Sequence, residues 1–261
     1  MRHRFCMKKI LSVLVAAGVC SVPAIAQMGG SGPGGGSFDN GMEKLFGANP
    51  VFSATMLTSI SGPQGPMTVK AKMVFDHNNS WTEVNMADVQ SANLPPQAVQ
   101  AAAQMKAIGM DDVVSITTAD KKNAYMIYPR IHSYVDIAIP SSAQAGDFNA
   151  QTTKMGEETV NGHSCIKNDV IITNSVQSSD FTVWNATDLN NFPVRIVTTE
   201  QGMPVTINFQ DVSFDRPAAG LFDPPAHFTR YGTIQDLMQS ALMNRPGGMP
   251  GTPSSPASPG P

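Results

Sequence analysis

The chain has little charge, little cysteine and no recognisable catalytic motif. Charged residues make up 14% of its 261 residues, and it contains three cysteines. It lacks the nucleophile elbow Gly-x-Ser-x-Gly, the glycine-rich phosphate loop and the zinc-protease motif His-Glu-x-x-His. The sequence therefore identifies no catalytic residue, no cofactor and no metal ligand set, and we expect the protein not to be an enzyme.

The N-terminus has the features of a secretory signal. Basic residues up to Lys9 precede an apolar run from Ile10 to Val19, and a small-residue site ends at Ala26. The apolar run is about half the roughly 20 residues that a membrane-spanning helix needs. We predict that residues 1–26 are a signal peptide cleaved near Ala26. The mature form is then expected to have no transmembrane segment and to be periplasmic or secreted in a bacterial cell envelope.

Removal of this segment changes the charge and the cysteine count. The mature chain would carry 13 basic and 20 acidic residues, which makes nucleic acid a poor partner. Cys165 would remain as the single cysteine, so an internal disulfide is excluded.

Composition also divides the chain. Residues 27–37 are rich in glycine and are predicted to form a flexible linker, and residues 245–261 are predicted to form a disordered tail rich in proline and glycine. The folded domain is expected between them, over residues 38–244.

Within this domain, alternating apolar and polar residues dominate. The run from Val51 to Ile60 and the run from Met67 to Asp76 both alternate with a period of two and predict a β-hairpin. Similar runs predict about ten or eleven strands in all, and Asn161-Gly162 between two of them predicts a hairpin turn. Helical spacing appears only after Pro95-Pro96, as far as Gly109, and from Thr233 to Met243, where Thr233 and Asp236 predict an N-terminal cap. The two prolines of Leu221–Pro225 predict a chain reversal before the last helix. Because no βα alternation is present, the predicted fold is mainly β (α+β), an open and strongly curved antiparallel β-barrel or half-barrel with capping helices.

Four segments carry a family resemblance. Residues 156–165 have the form Gly-x-Glu-x-Val-x-Gly-His-x-Cys. They are followed by Phe181-Thr182-Val183-Trp184-Asn185-Ala186, by Phe192-Pro193 and by Leu221-Phe222-Asp223-Pro224-Pro225. With these motifs the chain resembles uncharacterised secreted bacterial domains related to periplasmic lipoprotein carriers, similar to outer-membrane lipoprotein-sorting proteins. The resemblance implies an incomplete antiparallel barrel, capped by helices, whose hydrophobic cavity takes up acyl chains.

We expect the strand pattern to place one set of apolar side chains on a common surface. That surface and the apolar stripes of the two helices give the following predicted cavity lining: Phe52, Met56, Met67, Val69, Met73, Phe75, Met105, Ile108, Leu237 and Met238. Methionine adapts well to irregular apolar partners. The alternative is that these residues form a fully packed core.

Two hypotheses of function follow. In the first, the protein is a non-enzymatic periplasmic binding protein that shelters a lipid or a lipoprotein acyl chain in the half-barrel cavity. In the second, it is an envelope scaffold with a solid core that binds a protein partner.

His163 and Cys165 are the remaining reactive residues of interest. Their spacing places both on one side of a strand, which allows a buried structural cysteine, a metal site or a nucleophile. No third ligand or orienting group is indicated by spacing, so we interpret Cys165 as a small buried residue. The acidic pair Asp111-Asp112 is expected to be solvated.

Overall fold

A computed structural model describes residues 42–62, 65–77, 79–91, 93–118, 123–138, 148–174, 178–200 and 202–244. The predicted signal peptide, the glycine-rich linker and the C-terminal tail lie outside the described residues.

The described residues form a mainly β structure. The strands are β1 (Val51–Gly62), β2 (Gly65–Asp76), β3 (Asn79–Asn85), β4 (Gln90–Ser91), β5 (Asp112–Thr118), β6 (Asn123–Tyr128), β7 (Ser133–Ala138), β8 (Asn149–Val160), β9 (His163–Thr173), β10 (Ser178–Ala186), β11 (Phe192–Glu200), β12 (Met203–Ser213) and β13 (Thr229–Tyr231). The α-helices are α1 (Pro96–Ala107) and α2 (Ile234–Met243), and short 3-10 helices cover Met42–Phe46, Met86–Asp88 and Pro129–Ile131.

All thirteen strands of the described residues belong to one curved sheet. Its order is β13-β7-β6-β5-β3-β2-β1-β12-β11-β10-β9-β8, with β4 beside β2. The terminal strands β13 and β8 do not pair with each other, so the sheet stays open, as predicted. The eleven strands predicted from the sequence are present, and β4 and β13 are two further short ones. β13 runs parallel to β7, whereas the other described ladders are antiparallel.

The hairpin of β1 and β2 determines which side chains face the core. Phe52 lies opposite Phe75 and Met56 lies opposite Ala71, and all four are buried. Residues opposite each other in a ladder share a face. We call the face that carries Phe52 and Phe75 the inner face, and the other one the outer face.

The β8–β9 hairpin confirms the predicted Asn-Gly turn. Asn161 and Gly162 both have positive φ, 53° and 88°. Such a turn requires the left-handed region at both central residues, which asparagine and glycine adopt at the lowest steric cost.

Candidate apolar binding site

The structure divides the ten predicted lining residues between two parts of the inner face. Phe52, Met56, Met73 and Phe75 are buried in a cluster over β1, β2 and β9–β12, and Met67 packs half-buried at its margin. The helical residues belong to a second cluster, in which Ile108 and Leu237 are buried and Met105 and Met238 are half-buried. Val69 lies half-buried on the same face and belongs to neither cluster.

The first group, which we call the phenylalanine cluster, is filled by the protein's own side chains. The 3-10 helix Met42–Phe46 lies on it and buries Met42, Leu45 and Phe46. The ring centroid of Phe46 lies 4.6 Å from that of Phe52, 5.6 Å from Phe75, 5.8 Å from Phe192 and 5.9 Å from Phe209. Predicted lining residues in this half are therefore core residues, packed around Phe46.

Phe46 was missed by the sequence reasoning, although a weak signal was present. Met42, Leu45 and Phe46 stand three and four residues apart, the spacing of one helical face. The helix has only five residues, which is too short for periodicity to distinguish it from a loop.

The second group, which we call the helix-covered cluster, lies on the same inner face at the other side of the sheet. Register connects the two: Ala71 pairs with Val84, and Val84 pairs with Val113 of β5. Its buried members are Ile108, Met110, Tyr128, Val135 and Leu237. Its half-buried members are Met105, Val113, Met126, Ile131, Tyr231, Ile234, Met238 and Ala241. Most members of this cluster are therefore only half-buried.

Helix α1 contacts this cluster through Met105. None of its residues is buried, and Val99 is 53% exposed. Its C-terminal end is tied to the sheet by the turn through Gly109, where φ is +75° and an added Cβ would lie 2.9 Å from Cγ2 of Ile131. The helix is thus anchored at one end by a tight turn that only glycine fits.

Helix α2 has a well-formed start and an apolar, exposed end. Thr233 Oγ1 accepts a hydrogen bond from the backbone N–H of Asp236 at 3.1 Å, which confirms the predicted N-cap. Leu237 is the one residue of the helix that is buried, whereas Leu242 and Met243 are 56% and 72% exposed. Two helices therefore carry apolar side chains that the described residues leave uncovered.

One tyrosine and one ion pair bear on the electrostatics of the helix-covered cluster. Burial raises the pKa of Tyr128 to about 12, so this hydroxyl stays neutral near neutral pH. The side chain of Asp111, next to Met110, is 5% exposed and pairs with Arg130, next to Ile131. The prediction that Asp111 is solvated is therefore wrong. Its partner stands 19 residues away in the sequence and is brought to it by the fold.

The outer face of the same strands is covered as well. Val114, Ile116, Tyr125 and Ile127 form a buried group, and Phe222 and Phe228 pack against it. The predicted chain reversal at Leu221–Pro225 thus places Phe222 on the outer face. On the outer face, Phe222 and Phe228 therefore pack against β5 and β6. On the inner face, the two helices bury only Leu237.

Cys165 and His163 have structural surroundings. The Cys165 thiol is 2% exposed and donates to the His163 carbonyl oxygen at 3.4 Å, and burial raises its pKa. His163 Nδ1 lies 2.8 Å from the Asp188 carboxylate, which lowers the pKa of Asp188. In the part of the chain that the structure describes, no three His, Cys, Asp or Glu side chains are grouped so that they could hold a metal ion.

Among the described residues, neither α-helix has the length and apolar character needed to cross a membrane.

Comparison with known proteins gives similarity to solved structures only. No family model and no curated protein matches the chain. It is similar to a LolA superfamily protein from Nitrosomonas europaea, with 10% identity and a TM-score of 0.37 over 71% of this chain and 96% of that chain. It is also similar to the lipoprotein LppX from Mycobacterium tuberculosis, with 12% identity and a TM-score of 0.36 over 69% of this chain and 93% of that one.

A domain from Vibrio parahaemolyticus assigned to outer membrane lipoprotein sorting is similar as well. The identity is 11% and the TM-score 0.29, over 69% of this chain and 92% of that one. These structures include the lipoprotein-sorting class that the sequence motifs resemble. At these values the similarity assigns no role to any side chain of this protein.

Proposed function

We propose that the protein is a non-enzymatic binding protein of the bacterial envelope, and that it shelters the acyl chain of a lipid or lipoprotein between the sheet and helices α1 and α2. The site is the helix-covered cluster, with Met105, Ile108, Leu237 and Met238 as ligand contacts. The secretory features of residues 1–26 support the envelope location.

One observation carries the proposal: α1 buries none of its residues, although its Met105 packs against the helix-covered cluster. A helix that belongs to a packed core buries its apolar stripe. Here every residue of α1 is half-buried or exposed, and the cluster is rich in methionine, with Met105, Met110, Met126 and Met238. Flexible thioether side chains can repack around a guest of irregular shape.

The driving force would be removal of apolar surface from water. Each methylene group that leaves water contributes about 0.8 kcal/mol. A long acyl chain needs no polar partner, which suits a cluster of apolar side chains and two tyrosines, Tyr128 and Tyr231. A charged ligand group would have to lose its water to enter such a cluster, so we expect it to stay outside.

The test is displacement of a fluorescent fatty acid. The protein is equilibrated with dansyl-labelled undecanoic acid, and palmitate is added as competitor. We expect bright fluorescence on binding and its loss with palmitate. Met238→Gln and Met105→Gln should each weaken binding about tenfold, because an amide in the apolar site costs roughly 1–2 kcal/mol.

Two matched methionines serve as controls. Met67→Gln changes a half-buried methionine at the margin of the phenylalanine cluster, and Met155→Gln changes one that is 63% exposed on β8. Neither should alter the affinity. If the probe does not bind, or if Met67→Gln weakens binding as much as Met238→Gln, the helix-covered cluster is not the site.

A further inference from the structure

Strands β10 and β11 separate at one end of the sheet. Their ladder stops at Thr182 opposite Val197, although β10 continues to Ser178 and β11 continues to Glu200. Both continuations stay paired on their far sides, with β9 and β12. The edges formed by residues 178–181 and 198–200 therefore face each other across a gap without a ladder.

A side chain marks the narrow end of this gap. Thr198 Oγ1 donates a hydrogen bond to the Asp180 carbonyl oxygen at 2.9 Å, at the point where a backbone N–H would otherwise pair. Beyond it a groove of about 440 Å³ opens. The groove is lined by Met42, Asp169, Ile172, residues 178–182 and residues 197–200.

The two strand edges call for a backbone partner. Unpaired N–H and C=O groups along a strand form a template for an added extended segment. The buried residues Met42, Ile172 and Phe181 also line this groove, where they expose only a small part of their apolar surface. A lipid tail would leave these backbone groups unpaired, whereas an extended peptide can pair with them.

The acidic residues of the groove indicate which charge a bound segment would carry. Asp169, Asp180 and Glu200 line the groove, and none of them forms an ion pair with a described residue. The adjoining residues 175–177 (Ser-Val-Gln) and residue 201 (Gln) contribute no lysine or arginine. A partner with positive charge therefore complements three carboxylates for which the described residues provide no ion pair.

We infer that the groove between β10 and β11 is a docking site for an extended segment of a partner polypeptide that carries lysine or arginine. The segment pairs through its backbone with the separated strand edges and through its basic side chains with Asp169, Asp180 and Glu200. This site is distinct from the helix-covered cluster and does not depend on lipid binding.

The test uses two labelled heptapeptides, Lys-Thr-Val-Thr-Val-Thr-Lys and the same peptide with Glu in place of Lys. Binding to the full chain is measured by fluorescence anisotropy at low and at physiological salt. We expect the basic peptide to bind at least about tenfold more tightly than the acidic one, and salt to weaken it. The double variant Asp180→Asn, Glu200→Gln should lose about tenfold in affinity, whereas Glu157→Gln, an exposed carboxylate on β8, should lose none.

Hydrogen exchange locates the peptide. Alternate amides of a strand point to opposite edges, so only some amides of residues 178–181 and 198–200 face the gap. Those amides should become protected when the basic peptide is added, while those of β1 stay unchanged. Equal binding of the two peptides, or an unchanged affinity of the double variant, would overturn the inference. It is also overturned if every amide of residues 178–181 and 198–200 is fully protected without peptide, because the chain itself would then occupy the groove.

Discussion

Two different kinds of packing occur on the inner face of the sheet. Over β1, β2 and β9–β12 it is closed by Phe46, whose ring meets four other phenylalanines. Over β5–β7 two helices contribute side chains to the apolar cluster, and together they bury a single residue, Leu237. The same strand pattern thus supports a solid core on one side and a loose cover on the other.

The two clusters differ in the kind of side chain that packs on the inner face. Aromatic rings bring large area with few rotatable bonds, so a group of them packs into one fixed arrangement. The helix-covered cluster instead combines methionines with the ends of two short helices, which can rearrange at small cost. We therefore expect stability to reside mainly in the phenylalanine cluster, and we propose that the helix-covered cluster binds the ligand.

The largest expected effect is a difference in stability between variants of the two clusters. Phe46→Ala should lower the free energy of unfolding by about 3–5 kcal/mol, because it removes a buried ring and leaves a cavity. Met238→Ala, which changes a half-buried residue of α2, should cost no more than about 1–2 kcal/mol. Urea denaturation followed by circular dichroism measures both, and similar costs for the two variants would contradict the division.

The next effect tests whether the helix-covered cluster is dry. Burial raises the pKa of Tyr128 from 10.0 to about 12, so folding favours its neutral form. The resulting stability is fully present below pH 10 and is lost as the pH rises to 12, by about 2–3 kcal/mol. Tyr128→Phe should remove that part of the alkaline loss. If water fills the cluster, the tyrosine titrates normally and the variant behaves like the parent.

A smaller effect concerns helix α2 itself. Thr233→Ala removes the N-cap of α2 and should cost about 1 kcal/mol. The loss should appear as faster hydrogen exchange in α2, with the amides of β1 and β12 unaffected. Thr233→Ser, which keeps the hydroxyl, should restore the parent behaviour; exchange that rises equally in β1 would show that the two halves are one cooperative unit.

The smallest effect lies on the outer face of the strands between the two halves. Lys72 Nζ lies 2.7 Å from the Glu83 carboxylate, and the lysine side chain is 71% exposed. Lys72→Met should change stability by less than about 1 kcal/mol, because exposed ion pairs are weak. Thermal unfolding at two salt concentrations checks this; a larger, salt-sensitive loss would mean that this pair couples the halves.

Much of the fold could be predicted because its signals are local. The alternation in β1 and β2, the Asn161-Gly162 turn and the Thr233 cap each depend on neighbours within a few residues. Such patterns fix which face a side chain takes. They do not fix how far apart two same-face residues lie across a wide sheet.

The division of the predicted site into two clusters shows that limit. Phe52 and Met105 were both correctly assigned an apolar environment, but strand order places them in different parts of the inner face. The packing role of Phe46 and the parallel pairing of β13 with β7 were missed for a related reason. The 3-10 helix that carries Phe46 and strand β13 are both short, and tertiary contacts rather than their own sequences set their positions.

Hydrogen exchange with and without palmitate tests the central claim most directly. The account predicts that the amides of α1 and α2 exchange much faster than those of β1 and β12 in the free protein, and that palmitate slows α1 and α2 alone. Protection of α1 and α2 equal to that of β1 in the free protein, or unchanged when palmitate is bound, would contradict it.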